Sequence, residues 1–468
     1  ALHDYLCLMP TEPQATLYES VYRLEPGHYL VLEHNKPTVH CYHRFGSGRI
    51  LSLKDPREYV EGLSEQLEHA VARRLRATEG VASELSSGLD SSIVTAIAAR
   101  QLEKRDQRLL AVTSVLPESK RDGPAPRGRH RDESKGAKAL AAMYNNIDHL
   151  LVESAGRSPL EGLSEHMDRT DWPVRNPCNL AWMEDIMAAT RERGARVILN
   201  GFQGNLTISY DGRALIQSLL IRGKIFAWLE IVRALKRRSL RKSWRWFIIY
   251  SLAPRIPAGL WAAYQRRSGL SLRLDEYSAI SSDMQTRFHT ARRARMLRHD
   301  LNYRGIPDGV RYRIKPFYKT DTAHLRLDAN GFGLEQRSPA MDQRLVEYCL
   351  SVPDKIYLHD GQLQWPIKEL GKHLLPPEIL NCRTRGYQGA DWSDSATAAR
   401  DELQVELERF RQHESIGDYL DLEEMQQLLD EWPEEGWHRP QVEMQYRSKL
   451  LRGLSVGAFV RHVENDNR

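Results

Sequence analysis

The sequence predicts an α/β fold in which a parallel sheet carries helices on both faces and a mainly helical C-terminal part follows. Short apolar runs typical of strands occur at 81–85, 109–115, 149–152 and 196–200, with helical segments between them. Strands that alternate with helices favour a parallel sheet, because parallel neighbours need a long crossover connection. After Gly212 the remaining chain is mainly helical in pattern.

Local sequence signals predict the elements that precede the sheet. Residues 18–45 predict short strands, with a β-rich run at Tyr29–Leu32 directly after the turn signal Pro26-Gly27. Residues 56–79 place apolar side chains at helical spacing and predict an amphipathic helix. These elements precede the first strand of the predicted parallel sheet.

The predicted sheet begins with a strand, a loop and a helix in close succession. The strand at 81–85 is followed by a loop at 86–90 and a helix at 91–100. A polar stretch at 117–132, rich in Arg, Pro and Gly, predicts a flexible surface loop before a helix at 133–144.

Composition limits the class of protein. A length of 468 residues predicts two to three domains, and 41% hydrophobic with 28% charged residues is typical of a soluble globular protein. No apolar run is long enough for a transmembrane segment, and the first twenty residues show no signal peptide. The five scattered Cys residues argue against a disulfide framework and predict a reducing, cytoplasmic setting. The net charge of +5 does not by itself imply nucleic acid.

The most informative stretch is Ser86–Ser92, which joins a predicted strand to a predicted helix. In such a loop, backbone N–H groups and Ser hydroxyls point toward an anion, and the helix N-terminus adds partial positive charge. Gly88 permits a close backbone approach, whereas Asp90 would repel a bare phosphate. A divalent cation between Asp90 and a pyrophosphate removes that conflict. The alternative is a Ser-rich helix cap with an incidental Asp, since both residue types favour the N-cap position.

The stretch Glu84–Ser92 resembles the pyrophosphate-binding loop of asparagine synthetases, with Ser87 in place of the family's first Gly. Four further segments resemble the same family in the same order and spacing: Tyr22–His28 (the end of its glutaminase domain), Asn200–Asn205, Gly331–Leu350 and Asn381–Tyr387. The resemblance implies three regions. These are a β remnant of a glutaminase-like domain at 1–52, an ATP-binding synthetase core at 53–212 and the helical remainder of the synthetase domain at 213–468.

The resemblance also implies the cofactors ATP and Mg²⁺. It implies that Asp90 holds the metal ion and that the backbone at Glu84 and Ser114 lines the adenine pocket. The implied ATP-binding residues are Glu84, Ser86, Ser87, Gly88, Leu89, Asp90, Ser91, Ser92, Ser114, Asn200 and Gly201.

Departures from the family pattern bear on the substrate. The Cys nucleophile that makes ammonia in asparagine synthetases does not start this chain, Phe202 replaces a substrate-region Glu, and Asn205 replaces the second acidic metal ligand. Asn205 stays a candidate metal ligand, although an amide binds Mg²⁺ more weakly than a carboxylate. Thr384 replaces the Lys that neutralises charge in the adenylating transition state. The candidates for that role are its neighbours Arg383 and Arg385 and the more distant Lys368.

Within the family, three motifs are similar to lasso-peptide cyclases: Asn205–Gly212, Arg385–Trp392, and Asp171–Pro173 with Asn176, Pro177, Asn179 and Trp182. This likeness implies adenylation of an Asp or Glu side chain in a precursor (core) peptide and closure of a macrolactam by the peptide's own amino terminus. It places Phe202, Asn205, Asn176 and Asn179 at the substrate. The implied partners are that peptide, a leader-peptide-binding protein and a leader peptidase, with no nucleic acid.

Several interpretations stay open at this stage. Glu335 is a candidate for orienting or deprotonating the amine and Arg337 a further catalytic candidate, or Glu335 is a structural partner of Arg337. Asparagine synthesis, another small-molecule amide synthetase and a non-catalytic scaffold are the alternatives to a cyclase. The segment 213–250 carries ten basic residues and only Glu230 as an acid. It predicts two helices with a solvated basic face, a docking surface for a partner or peptide, or a membrane-surface helix.

Overall fold

The computed structural model describes residues 1–12, 14–46, 48–267, 273–319 and 323–466. Near the amino terminus, helix α1 (Leu2–Leu6) packs into the C-terminal helical core, where Tyr5 and Leu6 are buried. Strands β1 (His28–Glu33) and β2 (Lys36–Cys41) form an antiparallel hairpin, which confirms the predicted β run. Its two turn residues, His34 and Asn35, both have positive φ, as a tight two-residue hairpin turn requires.

A five-stranded parallel sheet forms the centre of the fold, as predicted. Its strands are β3 (Gly80–Glu84), β4 (Leu109–Val115), β6 (Ile147–Glu153), β7 (Ala195–Leu199) and β8 (Glu335–Arg337), while β5 (Arg129–His130) lies outside it. The order across the sheet is β6-β4-β3-β7-β8, and every pairing is parallel. The chain therefore brings the carboxyl ends of β3, β4 and β7 together at one edge, where ligands bind in open α/β sheets.

Helices cover both faces of the sheet. The helices up to the end of the core are α2 (Pro56–Arg74), α3 (Leu89–Glu103), α4 (Ser134–Ala141), α5 (Leu163–Thr170) and α6 (Leu180–Glu192). On one face, α2 and α3 bury Leu67 and Ile97 in the largest hydrophobic cluster. On the other face, α6 packs Ile186 against Val112 and Ile198. Alternate strand residues thus enter opposite layers, as the period of two in a strand dictates.

Two differences from the sequence-based prediction concern local detail. The helix predicted at 56–79 ends at Arg74, and the helix predicted at 133–144 covers Ser134–Ala141. The stretch predicted as a loop at 117–132 contains a short 3₁₀ helix at Glu118–Lys120 and strand β5. Strand β5 pairs in parallel with residues more than 250 positions away, a contact that no local pattern encodes.

The chain after residue 213 is mainly helical, as predicted. Its helices are α7 (Ala214–Ile221), α8 (Ile225–Arg238), α9 (Trp244–Leu252), α10 (Ala258–Arg267), α11 (Leu274–Tyr277), α12 (Ser282–Arg287), α13 (Thr290–Met296), α14 (Gly309–Lys319), α15 (Ala323–Gly331), α16 (Gln343–Ser351), α17 (Asp354–Tyr357), α18 (Trp365–Gly371), α19 (Pro377–Leu380), α20 (Trp392–Ala398), α21 (Arg400–Arg411), α22 (Ile416–Tyr419), α23 (Leu422–Asp430), α24 (Pro440–Glu443) and α25 (Leu451–Asp466). The short strands β9 (Leu358–His359), β10 (Gln362–Leu363) and β11 (Arg385–Gly386) lie between them. A π-helical segment, Met444–Leu450, leads directly into α25. In the part of the chain that is described, no helix is both long and apolar enough to cross a membrane.

Candidate active site

The loop at the carboxyl end of β3 is held in shape by hydrogen bonds of its own serine side chains. The Ser86 hydroxyl accepts a hydrogen bond from the Gly88 N–H (3.1 Å) and lies 2.7 Å from the Ser91 hydroxyl. The Ser92 hydroxyl donates to the Ser86 carbonyl (2.9 Å). Helix α3 begins directly after Gly88, so its free N–H groups and partial positive charge lie at this loop. The arrangement suits an anion at the sheet edge.

Asp90 lies in the first turn of α3 and is enclosed by the loop that follows β7. A Cβ added to Gly204 would overlap Cγ and Oδ1 of Asp90, and one added to Gly201 would lie 2.6 Å from the Ser91 nitrogen. Both positions therefore require glycine for this close approach. Oδ1 of Asp90 is buried and has no hydrogen-bond partner within the described residues. Burial raises the pKa of Asp90 to about 6, opposed in part by Ser209 and Arg385.

The surroundings of Asp90 fit a divalent cation held jointly with phosphate oxygens. An orphaned, buried carboxylate oxygen beside an anion-binding loop gains a partner when a cation lies between the two. No group of three His, Cys, Asp or Glu residues suited to a metal ion occurs in the described ranges, so phosphate and water would supply the other ligands. Asn205, the second predicted ligand, is exposed one residue beyond Gly204.

Glu84, the last residue of β3, lies at the same edge. Its carboxylate accepts a hydrogen bond from Nε2 of Gln336 on the edge strand β8 (3.2 Å). Burial raises the pKa of Glu84 to about 7, although Gln336 and Asn200 act in the opposite direction. Ser114, the other residue predicted beside adenine, lies in the adjacent strand β4, whose Val112 is paired with Glu84.

The segment around Arg383, Thr384 and Arg385 is attached to the serine loop. Strand β11 pairs with β5, and Oγ1 of Thr384 lies 2.8 Å from Nδ1 of His130. Glu133, three residues after His130, accepts a hydrogen bond at its carbonyl from the Ser87 hydroxyl (2.8 Å). The Glu133 carboxylate packs so closely on Gly386 that a Cβ there would overlap it. The predicted arginines and the predicted phosphate loop are thereby parts of one assembly.

Asn176 and Asn179 connect the same assembly to the C-terminal helices. Arg447, in the π-helical segment, donates to Oδ1 of Asn179 (3.0 Å), to Oδ1 of Asn176 (3.3 Å) and to the Gln388 carbonyl (2.8 Å). Its guanidinium also lies 5.3 Å from the ring centroid of Tyr387. The two predicted substrate residues thus position the segment that follows Arg385.

Lys368 lies one helical turn after Gln364, whose side-chain amide donates to the Ser209 carbonyl (3.0 Å). Burial lowers the pKa of Lys368. The Phe202 N–H donates to Oδ1 of Asn200 (3.2 Å), and the Phe202 carbonyl accepts from the Ser338 hydroxyl (2.8 Å). These contacts order the loop after β7 beside Asp90.

Glu335 and Arg337 stand on either side of Gln336 in β8 and pair with each other, and the Arg337 carbonyl accepts a hydrogen bond from the Asn200 N–H (3.1 Å). Glu335 is exposed, is paired in register with Val197 at the start of β8, and forms an ion pair with Arg337 that lowers its pKa. Arg337 donates to the carbonyls of Arg74 (2.8 Å) and Arg76 (2.5 Å). These bonds satisfy acceptors at the C-terminal end of α2, so the geometry matches the structural-partner interpretation of this pair.

A family model named asparagine synthase matches residues 62–455, which is most of the chain. The chain belongs to the asparagine synthase family. Members of this family typically use ATP with Mg²⁺ in amide-forming reactions.

Three curated proteins are similar to this chain at low identity. Amidase chry2 of Gibberella zeae is 24% identical over 404 residues, covering 80% of this chain and 59% of that protein. Asparagine synthetase [glutamine-hydrolyzing] 3 of Bacillus subtilis is 21% identical over 426 residues, covering 89% of this chain and 62% of that protein. Amidase chyE of Penicillium rubens is 22% identical over 415 residues, covering 80% of this chain and 59% of that protein. The chain thus spans about three fifths of the length of each.

Four residues of the assembly escaped sequence reasoning: His130, Glu133, Gln336 and Arg447. His130 lies in the predicted polar loop and Glu133 at the start of the predicted helix that follows it. Arg447 lies far along the chain from the other motifs. Gln336 stands between Glu335 and Arg337, the two residues that the sequence analysis selected as catalytic candidates. Local sequence offers no signal for any of the four.

Proposed function

We propose that this chain is an ATP-dependent peptide cyclase of the lasso-peptide type. In the first step, an oxygen of an Asp or Glu side-chain carboxylate in a precursor peptide attacks the α-phosphorus of ATP, and pyrophosphate leaves. In the second, the amino terminus of the same peptide attacks the acyl carbon, loses a proton and displaces AMP. The product is a macrolactam.

The observation that carries this proposal is the meeting of all three cyclase-like motifs around one loop. The motif Asn205–Gly212 supplies Ser209 beside Asp90. The motif Arg385–Trp392 begins where Gly386 packs on Glu133, which itself binds Ser87. The third motif holds the second one in place through Asn176 and Asn179, by way of Arg447.

The side chains of this edge have separate tasks in the proposed reaction. The serine loop and the α3 N-terminus would bind the pyrophosphate part of ATP, and Asp90 would hold Mg²⁺. When bound, the ion would supply positive charge that offsets the repulsion between carboxylate and triphosphate. The negative charge that builds up on the α-phosphate needs a cationic side chain to neutralise it, and Thr384 stands where the family has a Lys for this role. The candidates to replace that Lys are Arg383, Arg385 and Lys368.

Ring closure gains from proximity, because amine and acyl group belong to one chain. Well-oriented intramolecular reactions lower a barrier by about 7–11 kcal/mol relative to their bimolecular counterparts. Free ammonia has no place in this scheme, because the attacking amine belongs to the peptide itself. A leader-peptide-binding protein and a leader peptidase are the partners that would deliver a peptide with a free amino terminus.

The test measures pyrophosphate release from ATP and Mg²⁺ with synthetic peptides that carry a free amino terminus and one Asp or Glu at varied positions. We expect release with at least one such peptide and a product lighter by one water. Acetylation of the same peptide's amino terminus should block the ring product but still allow an acyl hydroxamate to form in hydroxylamine. Asp90→Ala should abolish both products. A peptide that releases pyrophosphate but never loses water would refute cyclisation.

A small-molecule amide synthetase is the second candidate, favoured by the family itself and by the relative named asparagine synthetase. The same assay distinguishes it, with aspartate plus ammonia in place of the peptide. Pyrophosphate release with aspartate, and none with any peptide, would favour this candidate. ATP binding without release on either substrate would favour a scaffold that retains the fold.

A further inference from the structure

The segment 213–267 differs strongly in charge from the rest of the chain. It contains 13 Lys or Arg residues and one acid, Glu230, for a net charge of +12. The remaining residues, with 54 basic and 61 acidic side chains, have a net charge of −7. Apart from Arg213, which pairs with Asp211, none of the 13 forms an ion pair with a residue that the structure describes. The positive charge of this segment is therefore available to an anionic partner.

Helix α9 leaves one row of its apolar side chains partly exposed. Trp244, Ile248 and Leu252 follow one another at intervals of four residues and are 40%, 44% and 38% exposed. The adjoining row of the same helix, Phe247 and Ser251, is buried, so the exposed stripe borders the packed side of α9. Side chains four apart lie on one face of a helix, so the three form a continuous apolar stripe in contact with water.

Helix α8 adds a second exposed face beside this stripe. Its buried side contains Trp228 and Val232, while its exposed face carries, at intervals of three or four residues, Phe226, Glu230, Arg233 and Arg237. Phe226 is 90% exposed. The two helices meet where the Lys236 ammonium on α8 lies 5.5 Å from the ring centroid of Trp244 on α9.

We propose that this α8–α9 face, defined by Phe226, Arg233, Arg237, Trp244, Ile248 and Leu252, binds the surface of an anionic phospholipid bilayer. Cations bordering exposed aromatic and aliphatic side chains are the pattern of interfacial membrane helices, in which the charges contact lipid phosphates and the apolar tips enter the headgroup boundary. A folded protein partner would have to supply a matching cavity for a side chain as prominent as Phe226. A fluid lipid surface accepts it without one.

The test is co-sedimentation of the 468-residue chain with vesicles at low ionic strength. One preparation contains phosphatidylcholine alone, and the other contains phosphatidylcholine with a third of phosphatidylglycerol. We expect binding to the anionic vesicles only, weakened at least tenfold when salt rises severalfold. The triple variant Trp244→Ser, Ile248→Ser, Leu252→Ser should also weaken binding at least tenfold, because it removes the apolar tips and leaves the charge unchanged.

A matched control replaces three exposed apolar residues elsewhere, Met296→Ser, Leu327→Ser and Val405→Ser. It should bind vesicles as the unmodified chain does, and thermal unfolding of both triple variants reports whether they fold. Equal binding by the two triple variants would overturn the apolar insertion. Failure of the unmodified chain to bind anionic vesicles would overturn the proposal. Tighter binding to a soluble polyglutamate peptide than to vesicles would also overturn it, and would assign the face to an acidic polypeptide.

Discussion

The carboxylate of Asp90 is expected to destabilise the folded chain while it serves the bound nucleotide. Its pKa rises to about 6 because the group is buried with one oxygen unpartnered. A group whose pKa is higher in the folded than in the unfolded state favours folding when protonated. Its stabilising contribution is therefore complete at acidic pH below the unfolded pKa and is lost as pH rises through about 6. We predict that Asp90→Asn stabilises the free chain at neutral and higher pH.

The magnitude follows from the two pKa values. A rise from 3.8 to about 6 corresponds to about 3 kcal/mol between the protonation states. At pH 8, where both folded and unfolded Asp90 are ionised, Asp90→Asn should raise the free energy of unfolding by as much as about 3 kcal/mol. At pH 5 the folded group is largely protonated already, and the gain should fall to about half. Near pH 4 it should be under about 1 kcal/mol.

Urea unfolding of the free chain and the variant at pH 8, 5 and 4 measures this dependence. Asp122→Asn is the matched control, because that Asp is exposed, and its stability difference should stay small at every pH. Calorimetry with ATP and Mg²⁺ should show loss of binding by Asp90→Asn in spite of its higher stability. A variant that is no more stable at pH 8, or whose gain does not shrink toward pH 4, would refute the electrostatic reasoning.

Three further changes test the arrangement around the site. Gly204→Ala should displace the Asp90 carboxylate and reduce pyrophosphate release at least tenfold, because the added Cβ overlaps it; a loss of less than twofold would contradict the close packing. Arg447→Met should reduce kcat/KM about tenfold or more while leaving ATP binding by calorimetry intact, since it frees the segment after Arg385; weakened ATP binding would contradict this. Glu335→Gln should keep pyrophosphate release within twofold of the unmodified chain, because the residue is exposed and pairs with Arg337; a hundredfold loss would restore it as a catalytic group.

Local patterns in the sequence were sufficient for the elements of the sheet. The strand, serine loop and helix between 80 and 103 follow from apolar spacing and from residues that favour a helix start. The same spacing arguments placed the strands at Leu109–Val115, Ile147–Glu153 and Ala195–Leu199 within two residues. Local signals were sufficient because each of these elements is specified by neighbours within one or two turns of chain.

Helix ends and long-range pairs were harder to predict. The helix predicted at 56–79 stops at Arg74, where Arg337 from the edge strand binds the carbonyl of Arg74. Glu335 carries no mark in the sequence that separates a catalytic acid from an ion-pair partner. The distinction depends on its exposed position at the start of β8 and on its ion pair with Arg337.

The sequence by itself determined an α/β core with a serine-rich anion loop, an Asp at a helix start and the family to which the chain belongs. Only the tertiary structure decided which groups surround that Asp. His130 meets Thr384 across 254 residues, and Arg447 reaches Asn176 across 271. Secondary structure is fixed by interactions between near neighbours, whereas a site at a sheet edge is assembled from chain segments whose proximity arises only when the hydrophobic core closes.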